Sequence, residues 1–139
     1  SNEGFEVAEV KRELQSVMQN YFGVFRRGDY MEKGVAALSD IREKVSNLHL
    51  KDKSMAFNTS RVEALELQNL FEVAEATAIA SFQRTESRGA HARDDFKERD
   101  DENWLCHSLY DPIQKTLNKR DVNFAPAQVE TFEPKVRTY

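Results

Sequence analysis

The sequence predicts a mainly α fold: an antiparallel up-down-up three-helix bundle followed by a C-terminal extension with a small β-hairpin and an irregular tail. Three observations lead there. Apolar residues recur at spacings of three and four in three successive segments, as one stripe of a helix requires. That periodicity stops beyond Thr85, where a charged run takes over. From Trp104 to Tyr110 apolar and polar residues roughly alternate, which is the pattern of a half-buried strand, and Asp111-Pro112 follows as a turn signal.

In the first helix Val7, Val10, Leu14, Val17, Met18 and Tyr21 form the apolar stripe, with Glu9, Lys11, Arg12, Glu13 and Gln15 opposite. Ser1 and Asn2 are set aside as a tag remnant. Gly23 and Gly28 bracket Val24 to Arg27, where the helix ends and the chain turns. The second helix runs from about Tyr30 to Leu48, burying Met31, Val35, Leu38, Ile41, Val45 and Leu48. Gly34 weakens it by about 1 kcal/mol relative to alanine. A polar connection, Lys51 to Lys53, leads to the third helix. Thr59 or Ser60 caps it, and Ser60 with Glu63 makes a capping box. Its apolar surface is read as Val62, Leu65, Leu70, Val73, Ala76, Ala80 and Phe82, reaching about Thr85. Ala64, Ala74, Ala76, Ala78 and Ala80 are read as close packing inside the bundle. Short connections between three helices favour antiparallel neighbours. In the extension the second hairpin strand includes Val122 and Phe124. Pro126 and Pro134 then mark an extended arm without regular structure. The organisation is a bundle over residues 3–86 and an extension over 87–139.

Composition excludes several classes. A chain of 139 residues that is 40% apolar and 32% charged suits one soluble domain. A formal charge of -4 disfavours nucleic acid and anionic membrane surfaces as partners. No apolar run approaches the roughly 18–20 residues that span a bilayer, so direct membrane insertion is not expected. The lone cysteine, Cys106, cannot form an internal disulfide, which fits a reducing compartment.

Candidate chemistry is sparse. His91 beside Asp94 and Asp95, and Cys106 beside His107, include residue types found in metal and nucleophile sites, but C-x-x-C and H-E-x-x-H spacings are absent. A histidine in a hydrogen-bond network and a structural thiol are the expected reading. An independent hydrolase using Cys106 and His107 is the enzyme alternative. The chain also lacks G-x-G-x-x-G, P-loop and G-x-S-x-G motifs, so no catalytic, cofactor-binding or metal-binding residue is assigned. What remains is the density of opposite charges at Arg88, Arg93, Asp94, Asp95, Arg99, Asp100 and Asp101, punctuated by Gly89 and His91. Arginine forms rigid bidentate pairs with carboxylates, and such a segment suits the orientation of one surface on another. Gly89 permits a positive φ or a close backbone approach there.

The stretches RTESRGAHARDDF (residues 84–96) and ERDDENWLCHSLY (residues 98–110) resemble the succinate dehydrogenase flavoprotein family. So do FNTSRVEALELQNLFEVAEATA (residues 57–78), VFRRGDYMEKG (residues 24–34) and the closing PKVRTY. The E-S-R-G-x-H core is shared with fumarate reductase flavoproteins and L-aspartate oxidases, while W-L-C-H-S-L-Y and the R-T-Y end favour succinate dehydrogenase. The resemblance implies a C-terminal helical scaffold domain, inactive alone, whose parent subunit binds FAD, oxidises succinate to fumarate and passes electrons to an iron–sulfur subunit and quinone. It further implies that the tail packs on the flavin-binding and capping domains, and that the complex sits on the inner, cytoplasmic face of the membrane. Arg88, Gly89, His91, Arg93, Asp94, Arg99, Asp100 and His107 become the expected interdomain interface. A free-standing helical interaction module is the alternative that presents the same bundle and the same charged loop.

Overall fold

The structure is a computed structural model, and it describes residues 2–51 and 59–136. Residues 52 and 53 of the polar connection, and the closing RTY residues, lie outside the described residues, as do the side chains of the Thr59/Ser60 cap. Three long helices, α1 (Asn2–Tyr21), α2 (Gly28–Lys51) and α3 (Thr59–Gln83), form the bundle. Their directions follow from contacts along their lengths. Gly34, early in α2, lies against Tyr21 and Phe22 at the end of α1, while Lys44, later in α2, pairs with Glu13. Arg42 of α2 meets Glu75 of α3. The up-down-up arrangement holds.

The core draws Val7, Val10, Leu14 and Val17 from α1 and Met31, Leu38, Ile41 and Val45 from α2, as periodicity predicts. The expected apolar surface of α3 is wrong except at Phe82, which packs against the core, whereas the reading of its alanines as close packing holds at Ala64, Ala74 and Ala78. Its buried residues are Ala64, Leu67, Phe71, Ala74 and Ala78, whereas Val62, Leu65, Leu70 and Val73 are exposed, and Ala76 and Ala80 are half-buried. The helix carries apolar residues around most of its circumference, so spacing alone cannot select the inner side. Packing selects it, because alanine at three of the five inner positions lets α1 and α2 approach closely.

Two short strands, β1 (Phe25–Arg26) and β2 (Ala92–Arg93), pair in parallel and join the α1–α2 turn to the charged loop. A four-residue helix, α4 (Asp101–Trp104), follows, capped by the Asp100 carboxylate, which accepts from the Asn103 N–H at 3.0 Å. Neither β2 nor α4 was expected within the charged run. The hairpin is present but shifted: β3 (Cys106–Asp111) pairs antiparallel with β4 (Thr116–Asp121). Trp104 therefore belongs to α4, and Val122 and Phe124 lie beyond β4. The turn is set by Asp111, whose Oδ1 accepts from Ile113 N at 2.9 Å and Gln114 N at 3.1 Å, and by Lys115 at φ 55. From Val122 to Val136 the chain has no regular structure, as the prolines imply.

Candidate functional site

α3 ends at Gln83, and the next five residues, Arg84 to Arg88, root a network of buried charge. Glu86 is fully buried. Its carboxylate accepts from Arg84 Nη1 at 2.6 Å, Arg88 Nε at 2.8 Å, Arg88 Nη2 at 3.1 Å and the Asp100 N–H at 2.8 Å. Burial pushes this carboxyl up, but the bonds from Arg88, the Asp100 N–H and Arg84 outweigh it and hold Glu86 below its ordinary range. Arg84 extends the network to the hairpin: it donates to the Trp104 carbonyl at 2.8 Å, the Cys106 carbonyl at 2.7 Å and Ser108 Oγ at 3.1 Å, and its guanidinium lies over the Trp104 ring. Arg88 reaches on to Asp101 Oδ1 at 2.5 Å, and Arg99 donates to Oδ2 of the same carboxylate at 2.9 Å. Arg99 in turn donates to the Lys135 carbonyl at 2.9 Å and so holds the tail.

Arg93 forms a second hub. Only 4% exposed, it pairs bidentately with Asp95 and donates to the carbonyls of Phe82 at 2.8 Å and Arg84 at 3.2 Å. Asp95 Oδ2 also accepts from Gly28 N at 2.9 Å and thereby caps α2. A Cβ on Gly28 would sit 2.6 Å from that oxygen, so this position admits no side chain without moving the cap.

Between the hubs, Arg88 and His91 exchange backbone hydrogen bonds at 2.9 and 3.0 Å, and the chain reverses through Gly89 at φ 57. Among the described residues, none other than its two chain neighbours comes within 4 Å of where a Gly89 Cβ would stand. His91 Nε2 lies 3.1 Å from the Arg84 carbonyl, an acceptor, so Nε2 carries the proton and Nδ1 accepts from Arg26 Nη1 at 3.0 Å. Burial, together with the cations of Arg26, Arg93 and Arg84, pushes the imidazole pKa down against the bond to the Arg84 carbonyl, and the ring is held neutral.

The expected site residues thus divide. Arg88, Gly89, His91, Arg93, Asp94, Arg99 and Asp100 come together at the end of the bundle, although Arg93 faces inward and Asp94 engages Arg26 only through its backbone N–H. His107 lies apart on β3, exposed, in register with Arg120. Its neighbour Cys106 points to the opposite face of the strand, so the two form no nucleophile pair. Arg84 and Glu86, which anchor everything, were not singled out. Their signal was an R-x-E-x-R spacing directly after a long helix.

A second buried carboxylate attaches the hairpin to the bundle. Glu75 accepts from Arg42, from Lys115 Nζ at 2.8 Å and from the Tyr110 hydroxyl at 3.0 Å, beside a cavity of about 320 Å³ lined also by Val45 and Phe71. Burial pushes Glu75 up, and Lys115, Arg42 and Tyr110 more than reverse it, while burial and Glu75 raise Tyr110 to about 12. A depressed carboxylate stabilises the fold above its unfolded pKa, near 4.3, and that contribution disappears as pH falls through the folded value. Glu75 and Glu86 share this sign. Acidification below about pH 4 is therefore expected to release the hairpin before the bundle melts. Loss of Trp104 near-ultraviolet dichroism ahead of helical signal checks it, and coincident loss of both signals counts against it.

Among the described residues no group of three His, Cys, Asp or Glu side chains is placed to hold a metal ion, and no helix is long and apolar enough to cross a membrane. Nor do these residues fit a flavin: the one positive-φ glycine lies in a tight turn, and Arg84, Arg88, Arg93 and Arg99 are committed to carboxylates and carbonyls of the chain itself.

A family model described as "Fumarate reductase flavoprotein C-term" matches residues 11–139. The succinate dehydrogenase flavoprotein subunit of Coxiella burnetii is 45% identical over 128 residues, covering 92% of this chain and 22% of that protein. The mitochondrial succinate dehydrogenase [ubiquinone] flavoprotein subunit of Oryza sativa subsp. japonica is 34% identical over 143 residues, covering 100% of this chain and 23% of that one. Among solved structures, a mutant FrdA of E. coli quinol fumarate reductase superposes with a TM-score of 0.75 at 31% identity, over 94% of this chain and 22% of that chain. The chain therefore spans a little over a fifth of the length of the relatives it matches.

Proposed function

The chain belongs to the succinate dehydrogenase and fumarate reductase flavoprotein family, as its C-terminal domain, and from that premise we propose that it is the helical scaffold of a subunit that oxidises succinate to fumarate. FAD, the substrate site and the path to an iron–sulfur subunit and quinone belong to the rest of that subunit and its complex. When bound there, the flavin supplies the hydride acceptor. This chain contributes rigidity: hydride transfer depends on substrate and flavin held to a fraction of an ångström, and a supporting domain secures that geometry without touching either. The parent complex is read as peripheral on the inner face of the cytoplasmic membrane. The 45% identity to a succinate dehydrogenase subunit, against 31% to the fumarate reductase chain, favours the oxidative direction.

Within this reading residues 3–86 are the scaffold and residues 87–139 meet the flavin-binding and capping domains. One observation carries it: the turn holding Gly89 is locked from behind by Glu86, Arg88 and His91, yet Gly89 itself is exposed with open space around it. A rigid, side-chain-free turn projecting from a satisfied network is suited to close approach by another backbone. The exposed apolar residues of the tail, Val129, Phe132 and Val136, suit burial against the same partner.

Gly89→Glu tests it. In the isolated chain the cost should be confined to backbone strain, about 1–2 kcal/mol for a side chain in the left-handed region. In the full-length subunit, flavin content and succinate oxidation should both fall by at least about tenfold, because a buried carboxylate would lack a partner. Full flavin loading and turnover in that variant would falsify the interface.

A further inference from the structure

The outer face of α3 holds a row of side chains that the bundle does not cover. Val62, Leu65, Asn69, Val73, Ala76 and Ala80 follow one another at spacings of three and four, on the side opposite Leu67, Phe71, Ala74 and Ala78. At about 1.5 Å per residue the row is about 27 Å long. It carries no charge. Val73 is 66% exposed, Val62 45% and Leu65 41%. A single exposed valine is ordinary, but three exposed apolar side chains in one uncharged row, flanked by exposed Glu66 and Glu72, are more than scatter. The outward faces of the other helices differ in kind: α1 presents Glu9, Lys11 and Arg12, and α2 presents Glu32, Lys33 and Glu43.

We infer that this row docks against an apolar, uncharged surface of the flavin-bearing part of the same subunit, and that it supplies the hydrophobic part of the interdomain contact. The inference rests on the reading of the chain as the C-terminal domain of a longer flavoprotein. Two observations select that occupant. Relatives extend well beyond this chain, which covers 22% of the Coxiella burnetii subunit, so most of such a polypeptide must find somewhere to meet the bundle. The row also ends one helical turn before Arg84, the root of the network that presents Gly89, so both surfaces emanate from the same end of α3. The charged loop satisfies its own hydrogen bonds and orients, while the α3 row offers the desolvation that drives association. Ala76 and Ala80 permit the closest approach near that end.

Thiol accessibility decides the matter. In a Cys106→Ser background, Val73→Cys and, as reference, Ser39→Cys on the exposed side of α2 are labelled with a maleimide, first in the 139-residue chain and then in the flavin-loaded full-length subunit without its iron–sulfur partner. Both positions should react rapidly in the chain. In the subunit position 73 should slow at least tenfold relative to position 39. Equal rates in the two proteins would overturn the inference. So would concentration-dependent protection within the chain alone, which assigns the face to a second copy, or protection that begins only when another subunit is added. A full-length protein that binds no flavin removes the underlying reading, whereas a flavin-loaded one with unslowed position 73 removes this inference alone.

Discussion

Glu86→Ala is expected to destabilise the chain by about 3–5 kcal/mol, the range for removing one partner from a buried ionic cluster. Its carboxylate is fully buried and is shared by two guanidiniums and one backbone N–H. Truncation leaves the Asp100 N–H without its acceptor and Arg84 with carbonyl and hydroxyl partners but no counter-charge, while Arg88 keeps Asp101. Arg84 and Arg88 have side chains only 14% and 26% exposed, so neither can recover its hydration without dismantling the loop. Glu75 makes a useful contrast, because its partners Arg42 and Lys115 are 36% and 39% exposed and can turn to water. Its loss should cost less. For Glu86→Ala a fall in melting temperature of about 10 °C or more follows from the scale of unfolding entropy for a domain of this size. Glu86→Gln keeps the shape and one acceptor oxygen but removes the charge, so it should fall between the two. The Trp104 signal should change in both variants, since Arg84 stacks on that ring and binds its carbonyl. A loss below about 1 kcal/mol for the alanine variant would show that the cluster is not cooperative.

The parts of this structure that were legible in the sequence are those where one periodicity dominates. In α1 and α2, apolar and charged residues segregate cleanly, and the buried sets match the spacing almost residue for residue. α3 resists this reading because both of its faces are apolar, one for the bundle and one left exposed, and three of the five buried positions are alanine. Periodicity reports that a face is apolar and not what covers it. The second hairpin strand, expected at Val122 and Phe124, is displaced for the opposite reason: Thr116–Asp121 is exposed except for half-buried Leu117, so it has no alternation to read, and cross-strand hydrogen bonding makes it a strand. The same limit applies to the charged loop. Its composition signalled many ion pairs, but their partners are set by tertiary placement, as with Arg26 meeting His91 across 65 positions of chain. Arg93 looked like a surface arginine by type and is instead a buried strut tying α3 to the cap of α2.

The loop and the bundle also depend on each other in a way that bears on stability. Asp95 caps α2, Arg93 accounts for the carbonyls of Phe82 and Arg84 at the end of α3, and β1 ties the α1–α2 turn to β2. The start of α2 and the end of α3 are therefore finished by residues of the extension, and the turn after α1 is tied to it. This arrangement makes the charged segment a clamp on the start of α2, the end of α3 and the α1–α2 turn.

Gly34→Leu should destabilise the α1–α2 corner of the bundle by about 3 kcal/mol or more. Helix propensity argues the other way, since replacing a mid-helix glycine by a better helix former gains about 1 kcal/mol. Sterics decide the sign. A Cβ at this position would stand 2.4 Å from Phe22 Cε2 and 2.7 Å from Tyr21 Cβ. The Phe22 ring could rotate aside, but the Tyr21 Cβ is fixed to the backbone of α1, so relief requires α1 and α2 to separate where they turn. That movement would uncover Phe22 and Met31, both buried at this corner. Gly34→Ala isolates the first atom of the clash and should still be net destabilising, with the propensity gain subtracted. Urea unfolding of the two variants checks the argument: a lower midpoint for Gly34→Ala and a much lower one for Gly34→Leu is expected. A midpoint for Gly34→Ala above that of the parent chain would mean that the α1–α2 corner yields more readily than its contacts imply, and that propensity governs the site.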